Sequence, residues 1–130
     1  MNTQFNLLYK DINNTKASAT VILAGAITDA QIDAIMDKLD DGMYFIPNQV
    51  GLPAPADTLA EHADFPHPEQ DHAWTIIKAF HHGDKPTADS MLTKDAPTHS
   101  MTIDELVSRI VQVEWDEDAE WERLTALTGQ

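Results

Sequence analysis

Five of the six histidines fall between His62 and His82, interleaved with Glu61, Asp64, Glu69, Asp71 and Asp84. Imidazole and carboxylate together suit zinc, nickel or iron, which makes His62, His67, His72 and His81, with His82 beside it, the candidate metal ligands. A preformed centre brings its ligands to one point, commonly as i, i+4 on a helix or i, i+2 on a strand. Here His62, His67 and His72 are five apart with Pro66 and Pro68 between them, and that spacing follows neither period. The competing reading of the stretch is a solvated acidic loop. A His–Asp pair with Ser90, Ser100 or Ser108 can be written as a triad, but no Gly-x-Ser-x-Gly elbow is present to expose a nucleophile. Phosphate-binding glycine loops are missing as well, and with no cysteine there is neither a thiolate ligand nor a cysteine nucleophile. No cofactor is implied, and the expectation is a protein that is not an enzyme. A ligand cleft beside the long central loop would be lined by Tyr44, Gln49 and Trp74.

The stronger anomaly is acid. The chain has 130 residues, with 22 Asp and Glu against 8 Lys and Arg, a net charge of −14. Such a charge argues against nucleic acid, whose phosphates are bound by clustered Lys and Arg. On a helical wheel Asp29, Asp33, Asp37, Asp40 and Asp41 share one arc beside the stripe of Ile32, Ile35, Met36 and Leu39. Like charges at i, i+4 cost roughly 0.2–0.5 kcal/mol per pair, and the C-terminal end of a helix prefers cations, of which Lys38 is the only one here. Local stability would not choose this arrangement. The tail adds aromatics: between Glu114 and Glu122 stand six acids, Trp115 and Trp121. Asp29, Asp33, Asp37, Asp40, Asp41, Trp115, Glu117 and Asp118 are therefore the candidate partner-binding residues. Trp121 is expected to pack inward with Leu124, whereas Trp115 reads equally as a core residue at a helix junction or as an interface anchor.

The elements that position these residues follow from spacing and caps. Phe5, Leu7 and Tyr9 alternate as in a half-buried strand over 4–10, and the apolar run of 19–24 reads as its hairpin partner. Thr28 with Gln31 is a capping box and Ile27 with Ile32 a hydrophobic staple, predicting a helix over 29–40 stopped by Gly42. Residues 43–46 and 74–80 read as third and fourth strands, and Thr58 with Glu61 as the start of a short helix before Pro66. All seven prolines lie from Pro47 to Pro97, so the middle, 47–100, is expected to be irregular, with 84–100 a loop. Thr102 with Glu105 opens a further helix, and Asp116 caps a last one. The order predicts a single α+β domain over 1–130: an antiparallel-dominated sheet of about four strands with two to three helices on one face.

The stretch Leu39-Asp40-Asp41-Gly42-Met43-Tyr44-Phe45-Ile46-Pro47-Asn48-Gln49-Val50-Gly51-Leu52-Pro53 resembles a segment of small bacterial proteins of the integron gene-cassette kind. The resemblance covers little more than a tenth of the chain, implies an accessory protein from mobile DNA, and carries no functional residue across.

The residues thus predict a non-enzymatic acidic accessory protein that binds a basic protein surface, self-associates as a homodimer, or both. The alternative is a small-molecule or divalent-metal site within 52–84. No apolar run approaches the ~18 residues of a membrane span, and no export signal opens the chain, so a cytoplasmic protein without membrane contact is expected.

Overall fold

In the computed structural model, residues 1–61 and 65–127 are described, with backbone alone at 82 and 83. Strand β1 (Asn2–Lys10) buries Thr3, Phe5, Leu7 and Tyr9 and exposes Asn6 and Lys10, the two-residue period of a sheet with one covered face. Its hairpin partner β2 (Lys16–Leu23) pairs antiparallel from Thr3↔Leu23 to Lys10↔Lys16. β2 begins earlier than its apolar run announces, because Ala17 packs beneath Tyr9. An alanine among polar neighbours is a weak strand signal. β3 (Tyr44–Phe45) and β4 (Thr75–Ile77) complete the order β2-β1-β4-β3, and β5 (Leu92–Thr93) pairs with the start of β1. All these pairings are antiparallel, so the α+β expectation holds, with one more short strand than foreseen.

Helix α1 (Asp29–Lys38) carries the complete capping box of Thr28 and Gln31, and the staple residues Ile27 and Ile32 are both buried. It ends two residues sooner than expected. Leu39 turns extended, and Asp41 (φ 54°) and Gly42 (φ 73°) together make the left-handed turn that delivers β3. The strand expected over 74–80 stops at Ile77 and tightens into a 3₁₀ turn, Lys78–Gly83, that carries Phe80 fully into the core. No helix starts at Thr58. That residue lies inside the 3₁₀ turn Pro55–Leu59, its hydroxyl donating to the Pro55 carbonyl at 2.9 Å. The region 84–100 holds the short helix α2 (Ala88–Met91) and β5, elements too brief to show a period.

Helices α3 (Ile103–Gln112) and α4 (Glu117–Leu127) begin at Thr102 and Asp116 as expected. α1 and α3 cover one end of the sheet, enclosing Phe5, Leu7, Ile32, Ile35, Leu106 and Ile110 among others. Gly25, with φ 104°, sits where an added Cβ would lie 2.8 Å from Ile103 Cγ2, so glycine permits this close passage. At the other end α4 covers a second, smaller cluster of Tyr9, Ala17, Ala56, Leu59, Phe65 and Leu124. Among the described residues no helix is long and apolar enough to cross a membrane.

Candidate functional site: an acid-lined groove at the α4 junction

The two acidic segments, far apart in sequence, meet in space. Trp115 packs edge-on against Phe45 (centroids 6.1 Å apart), and its indole N–H donates to the Lys38 carbonyl at 2.8 Å. A carbonyl left open at the end of α1 is thereby satisfied, and the indole takes the packing role of its two readings. One step along, the Gln49 amide clasps the backbone of Asp116: Gln49 Nε2 donates to the Asp116 carbonyl at 2.8 Å, and the Asp116 N–H donates to Gln49 Oε1 at 3.0 Å. Asp116 then caps α4 through Ala119 N–H at 3.0 Å. The end of α1 and the segment entering α4 are thus tied through Trp115, with Gln49 holding Asp116 in place.

Two shallow depressions meet at this junction. One, about 300 Å³, runs between the 68–73 segment and the first turns of α4, where Asp71, His72, Glu117, Asp118 and the half-buried Trp121 line it. The other, about 470 Å³, lies among Glu114, Trp115, Asp116, Glu117 and Asp118. Glu117 and Asp118 line both, and the first, with the Trp121 indole on its wall, is the acidic groove. Trp74 braces the seam by donating its indole N–H to Glu117 Oε2 at 3.0 Å.

Beneath the groove the polar groups are mutually satisfied. Tyr9 donates its hydroxyl to Asp71 Oδ1 at 2.6 Å and accepts the His72 N–H at 3.2 Å, while the His67 N–H donates to Asp71 Oδ2 at 2.7 Å. Burial, then the bond to Asp71, pushes the Tyr9 phenol far above its ordinary range. His72 Nδ1 accepts the Trp74 N–H at 3.0 Å, which assigns the proton to Nε2, 2.8 Å from the Lys10 carbonyl. On α4, Glu120 is 3% exposed and held by Arg123, whose fork also reaches Asp57 at 2.8 Å. The Glu120 hydrogen bonds raise the guanidinium above its already high range against the opposing effect of burial, with Asp57 adding to the rise.

The sequence-derived candidates separate accordingly. Asp29 accepts the Ala88 N–H at 2.9 Å and Asp33 pairs with Lys85, so two of the five acids of the α1 arc are engaged and one of them is paired with a cation. Asp33 in turn holds the exposed Lys85 ammonium above its usual range, first by hydrogen bonding and then by charge. Asp37, Asp40 and Asp41 stay exposed, without an ion-pair partner among the described residues. Tyr44, Gln49 and Trp74 do not gather around a common cleft: Tyr44 is a β3 residue paired with Ile76, Gln49 is committed to Asp116, and Trp74 only borders the groove.

The metal reading loses its geometry. His62 lies outside the described residues, His67 Nδ1 accepts the Glu69 N–H at 3.1 Å, both His72 nitrogens are engaged, and His81 sits in the Lys78–Gly83 turn, away from the groove lining. Among the described residues no group of three or more His, Asp or Glu converges as a metal centre would require. Asp71 and the Arg123–Asp57 contact went unforeseen, because each depends on a partner more than 60 residues away that no local spacing announces, whereas Glu120 and Arg123 stand three apart on α4 and could have been noticed. What the groove offers is carboxylate acceptors and an indole face, a chemistry suited to ammonium and guanidinium groups. In comparisons with protein-family models, curated proteins and solved structures, nothing matches the chain.

Proposed function

We propose that this is a non-enzymatic binding protein whose acid-lined groove takes a basic segment of another protein. The observation that carries the reading is the gathering of Asp71, Glu117 and Asp118 around the half-buried Trp121 in one groove, with the end of α1 tied to Trp115 close by. Lys38 is the only cation in 37–41 and 114–118. Asp37, Asp40 and Asp41 crowd a helix end that disfavours them, and Glu117 and Asp118 add two further exposed carboxylates at the start of α4. A basic side chain entering the groove relieves that repulsion and finds an indole to stack on. A second copy of the chain brings another −14 to the same surface, so we assign the groove to a different partner. The mobile-element origin implied by residues 39–53 is part of this proposal and adds no residue to the site.

The test is titration of an arginine-rich peptide into the protein at low and high salt. Screening of exposed charge is expected to weaken binding on the order of tenfold between about 0.05 and 0.5 M salt. Replacing Glu117 and Asp118 by their amides is expected to weaken it at low salt while leaving the fold intact. Affinity that ignores both salt and the double replacement would sink the proposal.

A further inference from the structure

The β1–β2 hairpin, whose tip rests on the 68–73 segment, inverts the charge logic. β2 is an edge strand, and the row of backbone groups that points away from β1 belongs to Lys16, Ser18, Thr20 and Ile22. Thr98 covers the last of these: its hydroxyl accepts the Ile22 N–H at 2.9 Å and its own N–H donates to the Ile22 carbonyl at 2.8 Å. The outward N–H and C=O groups of Lys16, Ser18 and Thr20 have no partner among the described residues. An open row of this kind is a template for another strand.

Two further features stand at the same place. Lys10 and Lys16 are directly opposite each other, a position where like charges destabilise a sheet, and both are exposed with no ion-pair partner among the described residues. In a chain with 22 acids this pair stands out. Between them, at the hairpin tip, Ile12 is 73% exposed, more than any other large apolar side chain described. Ser18 and Thr20 are small and exposed, and neither proline nor a bulge interrupts the edge.

We propose that the outer edge of β2 and the hairpin tip bind an extended acidic segment of a partner by strand addition. Main-chain hydrogen bonds form along Lys16, Ser18 and Thr20, carboxylates face Lys10 and Lys16, and an apolar side chain covers Ile12. Charge selects this occupant over a second copy of the chain, since a second β2 would bring two more lysines to the edge.

The probe is a capped heptapeptide of alternating Glu and Val, with a Lys–Val peptide as its counterpart, titrated into the isotopically labelled whole chain. The acidic peptide is expected to shift the Ser18 and Thr20 amide signals and slow their hydrogen exchange at least tenfold at saturation, while the basic one leaves both unmoved. Replacing Lys10 and Lys16 together by Glu should abolish the effect. Ser18→Pro, which removes an outward donor without touching the β1 ladder, should also abolish it with an unchanged circular dichroism spectrum. Should Ser18→Pro fail to fold, the lysine double variant and the peptide pair decide alone. Equal shifts with both peptides, or none with either, would overturn the proposal. So would a dimer in sedimentation that the lysine double variant leaves intact and whose interface protects Ser18 and Thr20.

Discussion

The cluster beneath α1 and α3 and the smaller one beneath α4 grow from the same strand, Phe5 and Leu7 feeding the first and Tyr9 the second. The first is closed by aliphatic and aromatic side chains alone, with Thr3 its fully buried polar neighbour, satisfied by the Gly25 carbonyl and the Ile27 N–H. The second has few large apolar residues and is ringed by ties between charged or polar groups: Tyr9 with Asp71, and Arg123 with Glu120 and Asp57. Burial of apolar area is cooperative and tolerant of small losses, whereas a half-buried charge clasp depends on every partner being present. The α4 end is therefore where local opening should cost least, and it is also where the groove lies.

The sharpest way to break that contrast is to damage each end once. Phe5→Ala removes a fully buried ring and should cost about 3–5 kcal/mol, unfolding the whole chain at lower urea with unchanged cooperativity. Arg123→Met leaves the buried Glu120 carboxylate uncompensated. Because the arginine is itself about a quarter exposed, the loss should fall below the fully buried case, to about 2–3 kcal/mol. Its signature should be local: hydrogen exchange rises in α4 while α1 and α3 keep their protection. Adding Glu120→Leu to Arg123→Met should recover most of the loss. Uniform exchange across all four helices would show that the two clusters act as one unit.

Tyr9 belongs to the α4 end, and removal of its hydroxyl should matter less. Tyr9→Phe keeps the ring but strips Asp71 of one hydrogen bond, a loss of about 1–2 kcal/mol. The sign of its pH dependence follows from the raised phenol. The folded state favours the protonated hydroxyl, so its contribution is complete below the ordinary tyrosine range, near pH 10, and is lost as pH climbs above it. Alkaline titration followed by phenolate absorbance and circular dichroism should show the Tyr9 phenolate appearing together with unfolding. In Tyr9→Phe the alkaline limb of the stability curve should flatten.

The same contrast explains what could be read from the chain before its fold. The larger cluster was legible because its signals are local and repeated: the alternation of Phe5 and Leu7, the box of Thr28 and Gln31, the stripe of Ile32, Ile35 and Leu39. The site was half legible. The acids and Trp115 could be singled out, since charge against a helix dipole is visible in one dimension. That Trp115 reaches back to Lys38, or that Gln49 clasps Asp116, depends on partners 77 and 67 residues away and leaves no periodic trace. The histidines show the converse case. Their five-residue spacing follows no ligand period, and His67 and His72 spend ring nitrogens on backbone groups.

Asp33 and Lys85 provide the smallest and most discriminating test. Both side chains are more than half exposed, at 58% and 53%, so their ion pair is screened by solvent and is expected to contribute little to stability. Asp33→Asn also removes one negative charge from an arc that includes Asp29 and Asp37, and the relief of that repulsion works against the lost pair. The urea midpoint should hardly move, and any difference should shrink further with added salt. Arg123→Met, by contrast, should hardly respond to salt, because its carboxylate partner is buried. If Asp33→Asn instead destabilised the protein as much as Arg123→Met, the turn at Lys85 would be part of the fold's main support. The α1 end would then depend on charge as heavily as the α4 end does.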